Sequence, residues 1–221
     1  MLNHSACFRR FVGHKIPSHH SVVIELLERQ RHRTGKVRAY INDPQGSLTQ
    51  LLIDYVDWHQ SRLTHRDAII FTHKKKNLSP LSLKQKRTRI LSARSYMAAR
   101  GCCRPISQIL ILGADKYSKN LDNILAVTAS FLSGDNSILI IVGNANQNSR
   151  FAQLFNRWTE QAYFFQTISE HAQIPSLPQP RKHKGSTIFI SVTTFKSNTK
   201  LSSTGYLQPA SIPHLQLAFL N

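Results

Sequence analysis

Two stretches of this chain share one plan. QILILGADKYSKNLDNILAVTASFL (108–132) and SILIIVGNANQNSRFAQLFNRWTEQ (137–161) each open on an apolar run. Each then passes a glycine-containing turn and continues with apolar residues at helical spacing. A strand that is apolar at successive positions is buried on both faces, and such strands alternating with helices imply a largely parallel sheet covered on both sides. Strands are expected at 108–113 and 137–142, and AYFFQT (162–167) is expected to extend the same parallel set. STIFISVTTF (186–195) reads as an edge strand whose pairing can be antiparallel, because the proline-broken stretch IPSLPQPRKHKG leaves little room for a crossover helix. The tail LSSTGYLQPASIPHLQLAFLN is rich in turn residues and reads as irregular but packed.

The first half of the chain reads as more helical. SVVIELLERQ (21–30) predicts a short helix capped by Ser21, KVRAYI (36–41) is strand-like, and NDPQG (42–46) has turn chemistry. Ser47-Leu48-Thr49-Gln50 then has the form of a capping box, in which serine accepts the third helical amide and glutamine reaches back. Leu48, Leu51, Leu52, Tyr55 and Trp58 recur at helical spacing behind it, so a helix with a buried stripe is expected to about Gln60. DAIIFTH (67–73) reads as a short strand. A second capping box, Ser82-Leu83-Lys84-Gln85, precedes Ile90, Ala93 and Met97 on one stripe, with Leu91 and Ala98 beside it and Gly101 as a stop. That pattern predicts a helix over 83–100. The expectation is thus an α/β fold: a mostly parallel sheet flanked by helices, with a basic, mainly helical N-terminal part packed on it through Leu51, Leu52 and Tyr55. Residues 1–105 would form the basic region and 106–221 the sheet domain with its irregular tail.

Charge changes this picture from scaffold to partner. The chain carries 29 Lys and Arg against 11 Asp and Glu, a formal net charge of +18, with 41% hydrophobic residues to build a core. Self-repulsion at such a charge costs stability, and the usual compensation is a polyanion. Residues 1–105 hold 20 of the Lys and Arg with six acids, and no acid at all occurs from Ala68 to Ala114. Within this stretch HKKKNLSPLSLKQKRTR (73–89) carries seven Lys or Arg in 17 positions. On the expected helix Lys84, Lys86, Arg87 and Arg89 would sit in the first turns, where positive charge opposes the helix dipole. A phosphate backbone supplies a reason for that placement. Lys74, Lys75, Lys76, Lys84, Lys86, Arg87, Arg89, Arg94, Arg100 and Arg104 are therefore the expected nucleic-acid contacts. RNA is favoured slightly over DNA, because a reader of backbone shape needs no base-edge motif. Tyr40, Trp58 and Tyr96 are candidates to stack on bases. Other proteins of a nucleoprotein assembly are the further partners this reading implies.

The two strand-to-helix loops are the candidate small-molecule site, since ligands of open parallel sheets gather beyond the carboxyl ends of strands. Asp115, Lys116, Ser118 and Lys119 would line one side, and Asn144, Asn146, Asn148, Ser149 and Arg150 the other. Neither loop carries a dinucleotide or Walker fingerprint, so no cofactor is implied. A nucleotide or phosphorylated compound is the ligand class this alternative would take. A second enzyme alternative is a metal-independent ribonuclease using His59, His65 or His73 beside a lysine. His65-Arg66-Asp67 spells the start of a protein-kinase catalytic loop, but Thr72 stands where its asparagine belongs. Cys7, Cys102 and Cys103 form neither a disulfide framework nor a zinc pair, which points to a reduced, intracellular setting. No apolar run is long enough to span a membrane. The start MLNHSACFRRFVGHKIPSHH contains no acid, as in organelle transit peptides, but lacks their long serine- and arginine-rich helix.

Overall fold

Ser137–Gly143 (β5, SILIIVG) is buried at every position, and so is Ile106–Leu112 (β4, ISQILIL). Side chains alternate between the faces of a strand, so a strand buried throughout must be covered on both sides. The two pair in parallel, with Leu110 opposite Ile140 and Leu112 opposite Val142. The structure, a computed structural model, describes residues 4–13, 16–34, 36–62, 66–73, 88–92, 97–98, 105–117, 120–132, 137–160, 165–168, 186–193 and 214–220.

On the far side of β5 lies Lys36–Asn42 (β1), parallel to it with Ala39 opposite Ile140. Beyond β4 lie Asp67–Thr72 (β2) and then Thr88–Ser92 (β3), again parallel. Ser186–Thr193 (β7) joins β1 in parallel, placing Ile190 opposite Ile41. Two strands complete the sheet: His214–Leu220 (β8) runs antiparallel to β7, and Phe165–Ile168 (β6) antiparallel to β8. The order is β3-β2-β4-β5-β1-β7-β8-β6, with the first six strands parallel.

Helices cover both faces. Thr49–Arg62 (α3) carries the chain from β1 toward β2, whereas Leu121–Phe131 (α4) joins β4 to β5 in the opposite direction across the sheet. Crossovers of one hand that run in opposite directions place their helices on opposite faces. The buried side chains divide accordingly. Val37, Ala39, Ile41, Leu110, Ile138, Ile140 and Ile190 pack with α3 and with two earlier helices, His4–Val12 (α1) and Ser18–Thr34 (α2). Tyr40, Ile109, Ile111, Leu139, Ile141 and Phe189 pack with a 3-10 turn (Ala114–Tyr117), α4 and Arg150–Glu160 (α5). Helix α1 buries Phe8 and half-buries Cys7, Phe11 and Val12, one face at helical spacing, while Arg9 and Arg10 stay exposed. The Phe8 ring meets Trp58 edge-on at 5.4 Å and Tyr55 at 6.1 Å.

Several expectations are corrected. Residues 83–100 are not one helix: Thr88–Ser92 is strand β3, because pairing along the edge of β2 outweighs a local capping signal. The N-terminal half is not a mainly helical part packed on a separate sheet, since β1, β2 and β3 are interleaved with β4 and β5 in one sheet. Phe165–Ile168 stands apart from the parallel set, and the 186–195 strand is no edge, because β1 offers it a parallel partner and β8 covers its other side. The tail contains strand β8 rather than only irregular chain. Helix α2 starts at Ser18, so Ser21 lies in its first turn and its hydroxyl donates to the Pro17 carbonyl at 3.4 Å. The buried stripe of α3, with Leu51, Leu52 and Tyr55 against the sheet, is as expected.

Candidate functional site

Adjacent strands β5 and β1 send their chains to opposite faces, α5 to one and α3 to the other. Such a switch point leaves a crevice beyond the carboxyl ends of the strands. A cleft of about 320 Å³ lies here, lined by the ends of β1, β2, β4 and β5. The β1 side contributes Asp43, Gln45, Gly46 and Thr49, and β2 contributes Thr72 and His73. Gly113, Asp115 and Lys116 follow β4, while Gly143, Asn144 and Gln147 follow β5.

Each wall is fixed by a side chain at a strand end. Asp43 Oδ1 accepts the Ser47 amide at 3.0 Å and the Ser47 hydroxyl at 3.2 Å, and Oδ2 accepts the Leu48 amide at 2.7 Å. The expected capping box is therefore corrected: Ser47 donates instead of accepting, and Gln50 turns outward to donate to Asp54 Oδ1 at 2.8 Å. A carboxylate accepts amides more strongly than a hydroxyl does, so the aspartate four residues earlier takes the role. Gly46, at φ +72°, closes that turn in a conformation that side chains disfavour. Asn42 ties three strands together. Its Oδ1 accepts the Ala145 amide at 2.8 Å and its Nδ2 donates to the Ser191 hydroxyl at 3.0 Å. Asp115 Oδ1 accepts the Asn144 amide at 3.0 Å, which joins the β4 loop to the β5 loop. That junction needs glycine at 143, since a Cβ there would stand 2.8 Å from Phe151 Cδ1 and 3.0 Å from the Asp115 amide nitrogen.

Of the loop residues expected from sequence, the cleft brings together Asp115, Lys116 and Asn144. Ser149 instead caps α5, its hydroxyl accepting the Ala152 amide at 3.1 Å. Arg150 pairs with Asp122 on the surface at 2.9 Å, and Asn146 and Asn148 are exposed outside the lining. Ser118 and Lys119 lie outside the described residues. Among the expected nucleic-acid contacts only Arg89 is described, exposed on β3; Lys74, Lys75, Lys76, Lys84, Lys86, Arg87, Arg94, Arg100 and Arg104 lie outside, as does Tyr96. Sequence reasoning missed Asp43, Gln45, Thr49, Thr72, His73 and Gln147 as parts of one cleft. Applying the strand-end rule to β1 and β2, both recognised as strands, was the signal available for most of them.

Other candidates are absorbed into the core. Trp58 and Tyr40 are buried, Tyr40 stacked on Phe189 with ring centroids 5.1 Å apart, so neither presents a face to a base. His59 is buried between α2 and α3, where Nε2 lies 2.7 Å from Glu28 Oε1 and Nδ1 lies 2.8 Å from an Arg31 nitrogen. Burial, reinforced by the Arg31 charge, pulls the His59 imidazole down to about 4 despite Glu28. At neutral pH the ring is uncharged, with Nε2–H donating to Glu28 and Nδ1 accepting from Arg31. Burial opposes ionisation of Glu28, yet hydrogen bonds from His59 and Tyr55 and the charge of Arg31 outweigh it and hold the carboxyl down at about 2. This cluster locks α3 onto α2, and it leaves His59 no open face for a ribonuclease site. His65 lies outside the described residues. Asp67 opens β2 and is buried, so the kinase-like triplet is not on a catalytic loop. Among the described residues no three of His, Cys, Asp and Glu converge on a metal position, and no helix is long and apolar enough to cross a membrane. The chain matches no protein-family model and no curated protein.

Proposed function

We propose that this protein binds nucleic acid, seating one nucleotide unit in the switch-point cleft while the Lys/Arg-rich run after β2 holds the flanking phosphates. The observation that carries the reading is that β2 ends in the wall of the cleft, at Thr72 and His73. His73 is followed in sequence by Lys74, Lys75 and Lys76, so the basic run begins, in sequence, directly after a residue of the cleft wall. Lys116 adds a cation from the β4 loop. Neutral donors and acceptors, Gln45, Thr49, Asn144 and Gln147, occupy the other walls and suit a sugar and a base edge. The net charge of +18 supplies the sequence-independent attraction that a phosphate backbone answers.

The cleft alone would also suit an enzyme acting on a nucleotide or phosphorylated small molecule, and one experiment separates the two. Binding of a labelled oligonucleotide is followed by fluorescence anisotropy, with unlabelled mononucleotide as competitor, for the wild type and for Lys116→Ala and His73→Ala. The proposal expects competition at the cleft and weaker oligonucleotide binding in both variants. Saturable mononucleotide binding by a chain that ignores oligonucleotides would favour the small-molecule enzyme. An oligonucleotide complex that neither competitor nor variant disturbs would place the interface elsewhere.

A further inference from the structure

Two carboxylates line the cleft, and they are not equivalent. Asp43 is buried, and both of its oxygens accept hydrogen bonds from its own turn. Asp115 is only half-buried; its Oδ1 accepts the Asn144 amide, while Oδ2 takes no hydrogen bond from the described residues. A carboxylate oxygen is an acceptor only, so it repels a phosphate and needs a donor from the ligand. The basic side chains of the lining, His73 and Lys116, belong to the ends of β2 and β4, and the neutral amides Gln45, Asn144 and Gln147 to the loops after β1 and β5. Asp115 sits where the two sets meet, because its Oδ1 bridges the β4 loop to Asn144.

Resting on the reading of the cleft as a nucleotide seat, we infer that Asp115 makes the site selective for ribose. The phosphate lies toward Lys116 and His73, the base toward the amides, and a ribose hydroxyl between them donates to Asp115 Oδ2. Deoxyribose brings no 2′ donor, so the carboxylate loses its water without gaining a partner. A hydrogen bond to a charged group in a site shaped for it corresponds to about a 10-fold to 100-fold preference. This gives the RNA lean a physical basis that the sequence did not contain.

The test uses the full chain and three matched ligands: a ribo-oligonucleotide, its deoxyribo counterpart and its 2′-O-methyl counterpart, each measured by calorimetry or anisotropy. The inference expects the ribo form to bind at least about 10-fold tighter than both others, since a 2′-O-methyl group accepts but cannot donate. Asp115→Asn keeps an oxygen for the Asn144 amide, and it should bring the ratio close to one. Lys116→Ala should weaken all three ligands alike and preserve the ratio. Equal binding of ribo and deoxyribo forms by the wild type overturns the inference but leaves the nucleotide seat standing. Failure to bind any of the three removes both. The wild-type ratio needs no variant, so poor folding of Asp115→Asn does not shelter the inference.

Discussion

Removing one hydroxyl group tests whether the buried cluster between α2 and α3 holds the scaffold of the cleft. Tyr55 is completely buried, and its hydroxyl donates to Glu28 Oε1 at 2.5 Å. Burial first, and then the Glu28 charge, push the Tyr55 hydroxyl well above its ordinary value, so it stays a donor at every accessible pH. Tyr55→Phe keeps the ring and its packing against Phe8 and Trp58, and it removes one hydrogen bond from Glu28 while leaving the contact with His59 in place. A hydrogen bond to a charged group contributes about 1.5–3 kcal/mol. In a chain of this size each kcal/mol moves Tm by about 2–4 °C, so a fall of roughly 3–12 °C is expected. Thermal melts and urea unfolding at pH 7 are the assay; the urea midpoint should drop with an unchanged slope, which marks a loss of stability rather than of compactness. A variant within about 0.5 kcal/mol of the wild type, or more stable than it, refutes the reasoning.

Two further outcomes follow from the same geometry. Acid should destabilise the fold in two steps of the same sign. The unfolded chain protonates His59 near 6.5 and the folded chain only near 4, so stability falls as pH drops through that window. Glu28, at about 2 folded against 4.5 unfolded, adds a second loss between those values; Tm rising or flat from pH 7 to pH 3 would contradict both. Gly143→Ala should cost about 1–3 kcal/mol by overpacking against Phe151 and the Asp115 backbone, and it should weaken ligand binding by displacing Asp115 from the Asn144 amide; a variant with wild-type urea midpoint and affinity would show that the junction is not tight.

The sheet was legible wherever the chain states its own burial. Residues 138–142 and 109–112 are apolar at every position, and runs that short, bounded by turn residues, have the length of a buried strand rather than of a buried helix. The pairing partners were not legible. Strand β1 lies between β5 and β7, and neither neighbour is close in sequence, so only the assembled register reveals it. Thr88–Ser92 misled for the opposite reason: its local signals are helical, and the edge of β2 supplies a pairing that no window of sequence contains. The site was half legible. Glycine turns after β4 and β5 pointed to Asp115, Lys116 and Asn144. The contributions of β1 and β2 depend on four strands ending side by side, which is a property of topology. Asp43 took the place expected of Ser47 because a strand-end carboxylate within reach of two amides is the stronger acceptor.

The central proposal is that the cleft and the basic run that follows His73 in sequence act together on a phosphate backbone. Its most direct measurement is the salt dependence of oligonucleotide affinity, comparing the wild type with Lys74→Gln/Lys75→Gln/Lys76→Gln and with Lys116→Ala. Each phosphate that loses its cation should lower the slope of log affinity against log salt by up to about one. The account predicts a slope reduced by up to about three in the triple variant and by up to about one in Lys116→Ala, with mononucleotide competition weakened in the latter. Slopes and affinities indistinguishable from the wild type in both variants would contradict it.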